Sequence, residues 1–179
     1  MDTRIGNLII GTPGGTAARN SNTYKVSLPS AWVKEMGLSK EDHQMILSFD
    51  GTQIIISRKL SFREFWDVAV AKRHHLFHIS LMNGDILCGE ILADDTAQAV
   101  CVQNHTTDFL KMPFGNNQAP TWEDYMEFLE NRCIPKSRAG LQEYLETLGL
   151  DHYDPIDIIR KTRGRMAEDQ LWLNVEEIL

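Results

Sequence analysis

Asp50-Gly51 separates two short apolar runs, Met45-Ile46-Leu47-Ser48-Phe49 and Ile54-Ile55-Ile56-Ser57. An Asp-Gly pair between strand-forming runs predicts a hairpin, because a type I′ turn needs positive φ at both central residues. Upstream, Leu8-Ile9-Ile10-Gly11 is broken by Thr12-Pro13-Gly14-Gly15, and a polar stretch continues to Asn22. Residues 23–28 alternate, with Tyr24, Val26 and Leu28 on one face and Thr23, Lys25 and Ser27 on the other. Pro29 suits a helix start and Gly37 the position past its end, leaving about two turns with Trp32 and Met36 as the inner stripe. This order, β–hairpin–β–α–β–turn–β, is complete by residue 59. Roughly 50 residues rarely bury enough surface to stand alone. The apolar faces of Tyr24, Val26, Leu28, Ile54 and Ile56 therefore call for a second copy of the chain.

The run Tyr24-Lys25-Val26-Ser27-Leu28-Pro29, then Trp32, Met36-Gly37-Leu38, Leu47-Ser48-Phe49-Asp50-Gly51 and Ile54-Ile55-Ile56, resembles the AbrB/MazE/SpoVT DNA-binding domain over residues 4–59. That family's pattern is a strand ending in "(I/V)xxP", a short helix ending in "LGL", a polar turn and a hairpin. In place of its compact turn before the second strand, this chain has the longer segment Gly14–Asn22. The resemblance implies a swapped-hairpin β-barrel shared by two chains, which contacts duplex DNA with loops and strands. Carried over by position, the DNA-binding candidates are Arg19, Asn20, Ser21, Thr23 and Lys25, with Arg4 on the N-terminal arm.

Charge is distributed to match. The chain carries 18 basic and 25 acidic side chains, net −7, yet residues 1–60 hold 7 basic against 5 acidic ones. Residues 76–179 hold 18 acidic against 8 basic ones, net −10. Phosphate contact needs only a local basic patch, so a DNA surface belongs to the N-terminal third. The acidic remainder suits a basic protein partner.

Residues 60–75 predict a linker helix, with Ser61 and Glu64 forming a capping box and Phe62, Phe65, Trp66 and Ala69 an apolar stripe. Residues 76–115 predict a small antiparallel sheet: Phe77–Leu81, a turn at Asn83-Gly84, Ile86–Leu92, then Ala97–Val102 and Phe109–Met112. Helices are expected after Thr121, over Ser137–Gly149, from Asp154-Pro155 to about Arg163, and over Met166–Trp172. The whole reads as an α+β chain with a barrel half at 1–59, a linker helix at 60–75 and an α+β partner-binding domain at 76–179. Cys88, Cys101 and Cys133 have no metal or redox spacing and read as reduced core thiols. His74, His75 and His78 lack a nearby ligand set, so no metal is expected. The basic cluster Arg160–Arg165 reads as a helix C-terminus, with a second phosphate or DNA contact as the alternative, and Trp122, Tyr125, Tyr144 and Trp172 read as core packing for the most part and otherwise as anchors for a partner.

The segment Arg132-Cys133-Ile134-Pro135-Lys136-Ser137-Arg138, with Leu145, Gly149-Leu150 and Glu168-Asp169-Gln170-Leu171-Trp172, resembles a small domain found ahead of HipA-like kinase domains in bacterial toxin–antitoxin proteins. The kinase signatures themselves are absent: there is no Gly-rich loop with its lysine, no HRD and no DFG. Nor is there a GxSxG, HExxH, P-loop or GxGxxG motif, so an enzyme is not expected and no cofactor is implied. No apolar run approaches the ~20 residues of a membrane helix, and no secretory signal is visible, which points to a cytoplasmic protein without a membrane partner. The leading expectation is a homodimeric, antitoxin-type transcription regulator that binds double-stranded DNA and, through its C-terminal part, a toxin or other protein partner. The alternative is a protein-interaction inhibitor from a phage or mobile element, acting through its acidic surface.

Overall fold

The structure, a computed structural model, describes residues 2–11 and 22–178. It is a mixed α+β chain that divides into two units, Met1–Lys59 and Leu60–Leu179.

In the first unit, β1 (Leu8–Gly11) pairs antiparallel with β2 (Thr23–Val26), and β3 (Met45–Phe49) pairs with β4 (Ile54–Arg58). Helix α1 (Ser30–Glu35) lies between the hairpins in sequence. It starts directly after Pro29 and stops because Gly37 takes φ 71°. Leu38 N–H then donates to Val33 O at 3.2 Å and Gly37 N–H to Lys34 O at 3.0 Å, closing the last turn as a Schellman motif. The Asp50-Gly51 hairpin forms, but not with the type I′ turn expected. Gly51 has φ 95° while Thr52 stays on the negative side, and the Asp50 carboxylate closes the turn by accepting the N–H groups of Thr52 and Gln53, both at 2.9 Å. Those donors hold the Asp50 carboxyl far below the usual carboxylate range.

The expected barrel is corrected at the level of one chain. Among the described residues, the two hairpins remain separate two-stranded sheets and no closed barrel forms. The physical reason lies in burial: not one described residue of 2–59 is buried. Leu8, Ile10, Tyr24 and Val26 share one face of the first hairpin, and Leu47, Phe49 and Ile54 one face of the second, all more than half exposed. An isolated two-stranded hairpin of this length has too little apolar contact to close on itself.

The second unit is built on one antiparallel sheet in the order β7-β6-β5-β8, with β5 (Leu76–Asn83), β6 (Ile86–Asp94), β7 (Ala99–Asn104) and β8 (Leu171–Glu177). The β5–β6 turn is Gly84-Asp85, one residue beyond the Asn83-Gly84 pair expected, with Gly84 at φ 58°. Alternation along the strands makes two apolar faces. Phe77, Ile79, Leu81, Ile91, Ala93 and Leu173 pack against Tyr125 and Leu129 of α3 (Trp122–Asn131), Leu145 of α4 (Leu141–Leu148) and Ile158 and Ile159 of α5 (Pro155–Thr162). On the other face, Leu76 and Leu92 meet Phe62, Phe65, Trp66 and Ala69 of α2 (Phe62–Ala71). The helix at 60–75, expected as a linker, is thus one layer of this unit.

The local start signals act as expected. Ser61 and Glu64 cap each other at α2, Thr121 and Asp124 do the same at α3, and Asp154 caps α5 with Pro155 in its first turn. Three expectations are corrected. Phe109–Met112 is not a strand: Asp108 accepts the Leu110 N–H and starts a 3₁₀ turn over Phe109–Lys111. The helix expected over Ser137–Gly149 begins only at Leu141, because Gly140 sits at φ 77°. Met166–Trp172 is not a helix, since the chain enters β8 at Leu171 and places Leu171, Leu173 and Val175 on the core face. Cys88 and Cys133 are buried, Cys101 is half-buried, and none of the three is in a disulfide. Burial pushes the Cys133 thiol up to about 11, which keeps it protonated and unreactive.

Candidate nucleic-acid interface and partner surface

The nucleic-acid candidates that the structure describes lie on the first hairpin and the arm before it. Register places Thr23 opposite Gly11 and Lys25 opposite Ile9, so Thr23 and Lys25 share the face turned away from Tyr24 and Val26. Thr23 Oγ1 donates to Gly11 O at 3.2 Å, which ties the strand end to its neighbour. A Cβ at position 11 would lie 3.1 Å from Thr23 Oγ1, so a side chain there requires that hydroxyl to give by a few tenths of an ångström. Lys25 is exposed and lies opposite Ile9 in the register. Arg19, Asn20 and Ser21 lie outside the described residues.

Arg4 is held in a way that its sequence neighbourhood does not signal. Its guanidinium lies 5.8 Å from the centre of the Trp32 ring, a cation–π contact between the arm and α1. Trp32 was expected to serve with Met36 as a buried stripe; both are only half-buried. The structure therefore brings Thr23 and Lys25 together on one strand face and anchors Arg4 on α1. Arg58 is turned inward by Asp42, whose Oδ2 accepts from its Nε at 3.0 Å and its Nη2 at 2.5 Å.

The second unit carries the acidic charge and a dense set of charge-assisted bonds. Glu90 bridges two histidines, His78 Nε2 at 2.8 Å and His105 Nε2 at 2.6 Å, and the His78 ring meets the edges of Phe62 and Trp66. His74 Nδ1 lies 2.7 Å from Asp94. The three neighbouring histidines of the sequence are thus spread over separate carboxylate partners. In the basic cluster, Arg160 bonds Glu177 at 2.5 Å, while Arg163 and Arg165 lie over the Trp172 ring at 5.1 and 5.7 Å. That arrangement uses most of the cluster's charge inside the unit. Of the candidate anchors, Tyr125 is buried, whereas Trp122, Tyr144 and Trp172 are half-buried, and Trp172 Nε1 donates to Gly84 O at 2.7 Å.

No helix among the described residues is long and apolar enough to cross a membrane. The chain matches no protein-family model, no curated protein and no solved structure.

Proposed function

We propose that the chain is a DNA-binding transcription regulator of the antitoxin type. Two copies join through residues 4–59 as a swapped-hairpin barrel, duplex DNA lies on the face bearing Thr23 and Lys25, and the acidic second unit holds a protein partner. One observation carries the reading: a 59-residue unit made of two hairpins has no buried described residue and exposes its apolar strand faces, while the opposite face of β2 is polar and basic. A second copy covers the apolar faces most simply, since the two surfaces are then complementary by identity. The net charge of +2 over residues 1–60 against −10 over 76–179 supports the same division of labour.

Sedimentation at micromolar concentration tests the dimer, and a folded monomer there would overturn it. A gel shift with genomic DNA from the source tests the DNA reading. Co-expression with the neighbouring gene tests the partner reading. Loss of DNA binding with retention of the protein partner would favour an interaction inhibitor that acts through the acidic unit alone.

A further inference from the structure

Helices α3 and α5 and the ends of β5 and β8 enclose a cleft of about 360 Å³, within the second unit. Its working groups are His75, Asp95, Tyr125, Asp154, Arg160 and Glu177. Tyr125 is 1% exposed and its hydroxyl has no hydrogen-bond partner. A buried hydroxyl without a partner is costly, and such groups are rare in native proteins. Burial first, and then the nearby Asp95 and Asp154 charges, disfavour the phenolate, so the group stays a neutral phenol whose oxygen can accept a bond.

The charges around it are unevenly committed. Arg160 is held by Glu177, lies over the Phe77 ring at 5.6 Å and faces Asp157 at 3.7 Å. His75 stands between Glu177, at 2.9 Å, and Asp95, at 3.3 Å. The positive end of α5 is answered by Asp154, whose Oδ1 accepts the Asp157 N–H at 3.0 Å. That leaves Asp154 Oδ2, Asp95 Oδ1 and the Tyr125 oxygen without a hydrogen bond, all on residues that line the cleft. The Trp122 ring, 4.9 Å from that of Tyr125, adds an aromatic wall. Three acceptors, an excess of carboxylates and an aromatic wall fit a guanidinium or ammonium group and repel an anion.

We infer that this cleft seats one basic side chain, arginine or lysine, of the protein partner. The inference rests on the partner-binding role proposed for the second unit and names the chemistry it recognises. The cleft is at the small end for a metabolite pocket and its rim carboxylates are about half exposed, as a side chain inserted from another surface requires.

The test titrates the isotope-labelled full chain with the blocked peptide Gly-Gly-Arg-Gly-Gly, and in parallel with the same peptide carrying neutral citrulline in place of arginine. The arginine peptide should shift the amide signals of residues 75, 95, 122–126, 154, 156 and 157, and bind about tenfold more tightly than its citrulline twin. Tyr125→Phe and Asp154→Asn should each weaken it about fivefold. Both variants fold: Tyr125→Phe removes a hydroxyl that no protein group satisfies, and asparagine caps a helix as well as aspartate. Equal shifts from both peptides, no shifts in the cleft, or wild-type affinity in both variants would overturn the assignment. The titration contains neither DNA nor partner, so its failure falls on the cleft alone, whereas failed co-expression falls on the proposed function.

Discussion

Arg132 and Asp169 meet across 37 residues as a two-pronged ion pair, Nη1 to Oδ2 at 2.6 Å and Nη2 to Oδ1 at 3.2 Å. Arg132 also donates from Nε to Gly164 O at 2.9 Å and from Nη2 to Leu171 O at 2.7 Å. One buried guanidinium thereby holds the turn that leads from α5 into β8. Gly164, at φ 55°, belongs to the same device: a Cβ there would lie 3.3 Å from that of Arg132.

Asp169→Ala leaves that guanidinium half-satisfied. Because a third of the Asp169 side chain is exposed, the loss should be about 2–3 kcal/mol rather than the full value of a buried pair. Arg132→Lys should not rescue the turn, since an ammonium cannot make the fork to a carboxylate and reach two carbonyls as well. Urea unfolding monitored by far-UV circular dichroism checks both. The hydrogen bond from Arg132 holds the Asp169 carboxyl below its ordinary value, so its contribution is present above the unfolded carboxyl's pKa and is lost as pH falls through the folded one. Acid unfolding of Asp169→Asn should be correspondingly less steep.

His75 predicts the opposite slope. Glu177 and then Asp95 raise its pKa above 6.5, and both ring nitrogens face carboxylates, a geometry that the imidazolium satisfies as a double donor. Its stabilisation is complete below the unfolded value and fades as pH rises through the raised folded one. Melting temperature should therefore drop, as pH rises above about 6.5, more in the wild type than in His75→Gln, a difference read by thermal scans in matched buffers.

Gly89→Ala should destabilise the second unit by about 1–3 kcal/mol. Gly89 lies in the middle of the sheet, paired with Leu81 and Asn104, and a Cβ there would stand 2.8 Å from Pro113 Cδ and 3.0 Å from its Cγ. A proline ring cannot swing aside, so the backbone of β6 or of 113 must move. A lower urea midpoint at unchanged m-value is the expected outcome.

Lys25→Ala and Arg19→Ala should each weaken DNA binding by about 1 kcal/mol while leaving the dimer folded. The slope of log K against log salt should flatten by about one unit for each phosphate that the variant no longer neutralises. If both variants bind as the wild type does, the DNA face is elsewhere.

Much of the fold was legible because its signals are local. Ser61 with Glu64, Thr121, and Asp154 with Pro155 begin helices through bonds that reach at most three residues, and Gly37 ends one by its own φ. Alternation was equally informative for β2 and β5, and the apolar runs on either side of Asp50-Gly51 for β3 and β4. The signal for β8 was also present, as Leu171, Leu173 and Val175 alternate with Trp172, Asn174 and Glu176. It was masked because the acidic stretch before it has helical composition, and because its partner, β5, lies some ninety residues away.

Residue order thus settled where α2, α3 and α5 start, to within one residue where the hairpins turn, and which face of β2 is apolar, since each depends on groups within a few bonds of one another. Tertiary structure alone decided that β8 closes the sheet against β5, that Arg132 finds Asp169, that α2 covers one face of the sheet, and that Tyr125, Asp95 and Asp154 converge on one cleft. Many of those pairings join residues far apart in sequence, such as Arg132 with Asp169 or His75 with Glu177, and no local preference encodes them. They form because burying Ile79, Ile91, Leu129, Ile158 and Leu173 in one core leaves few ways to lay the elements together, and the polar groups take the places that remain.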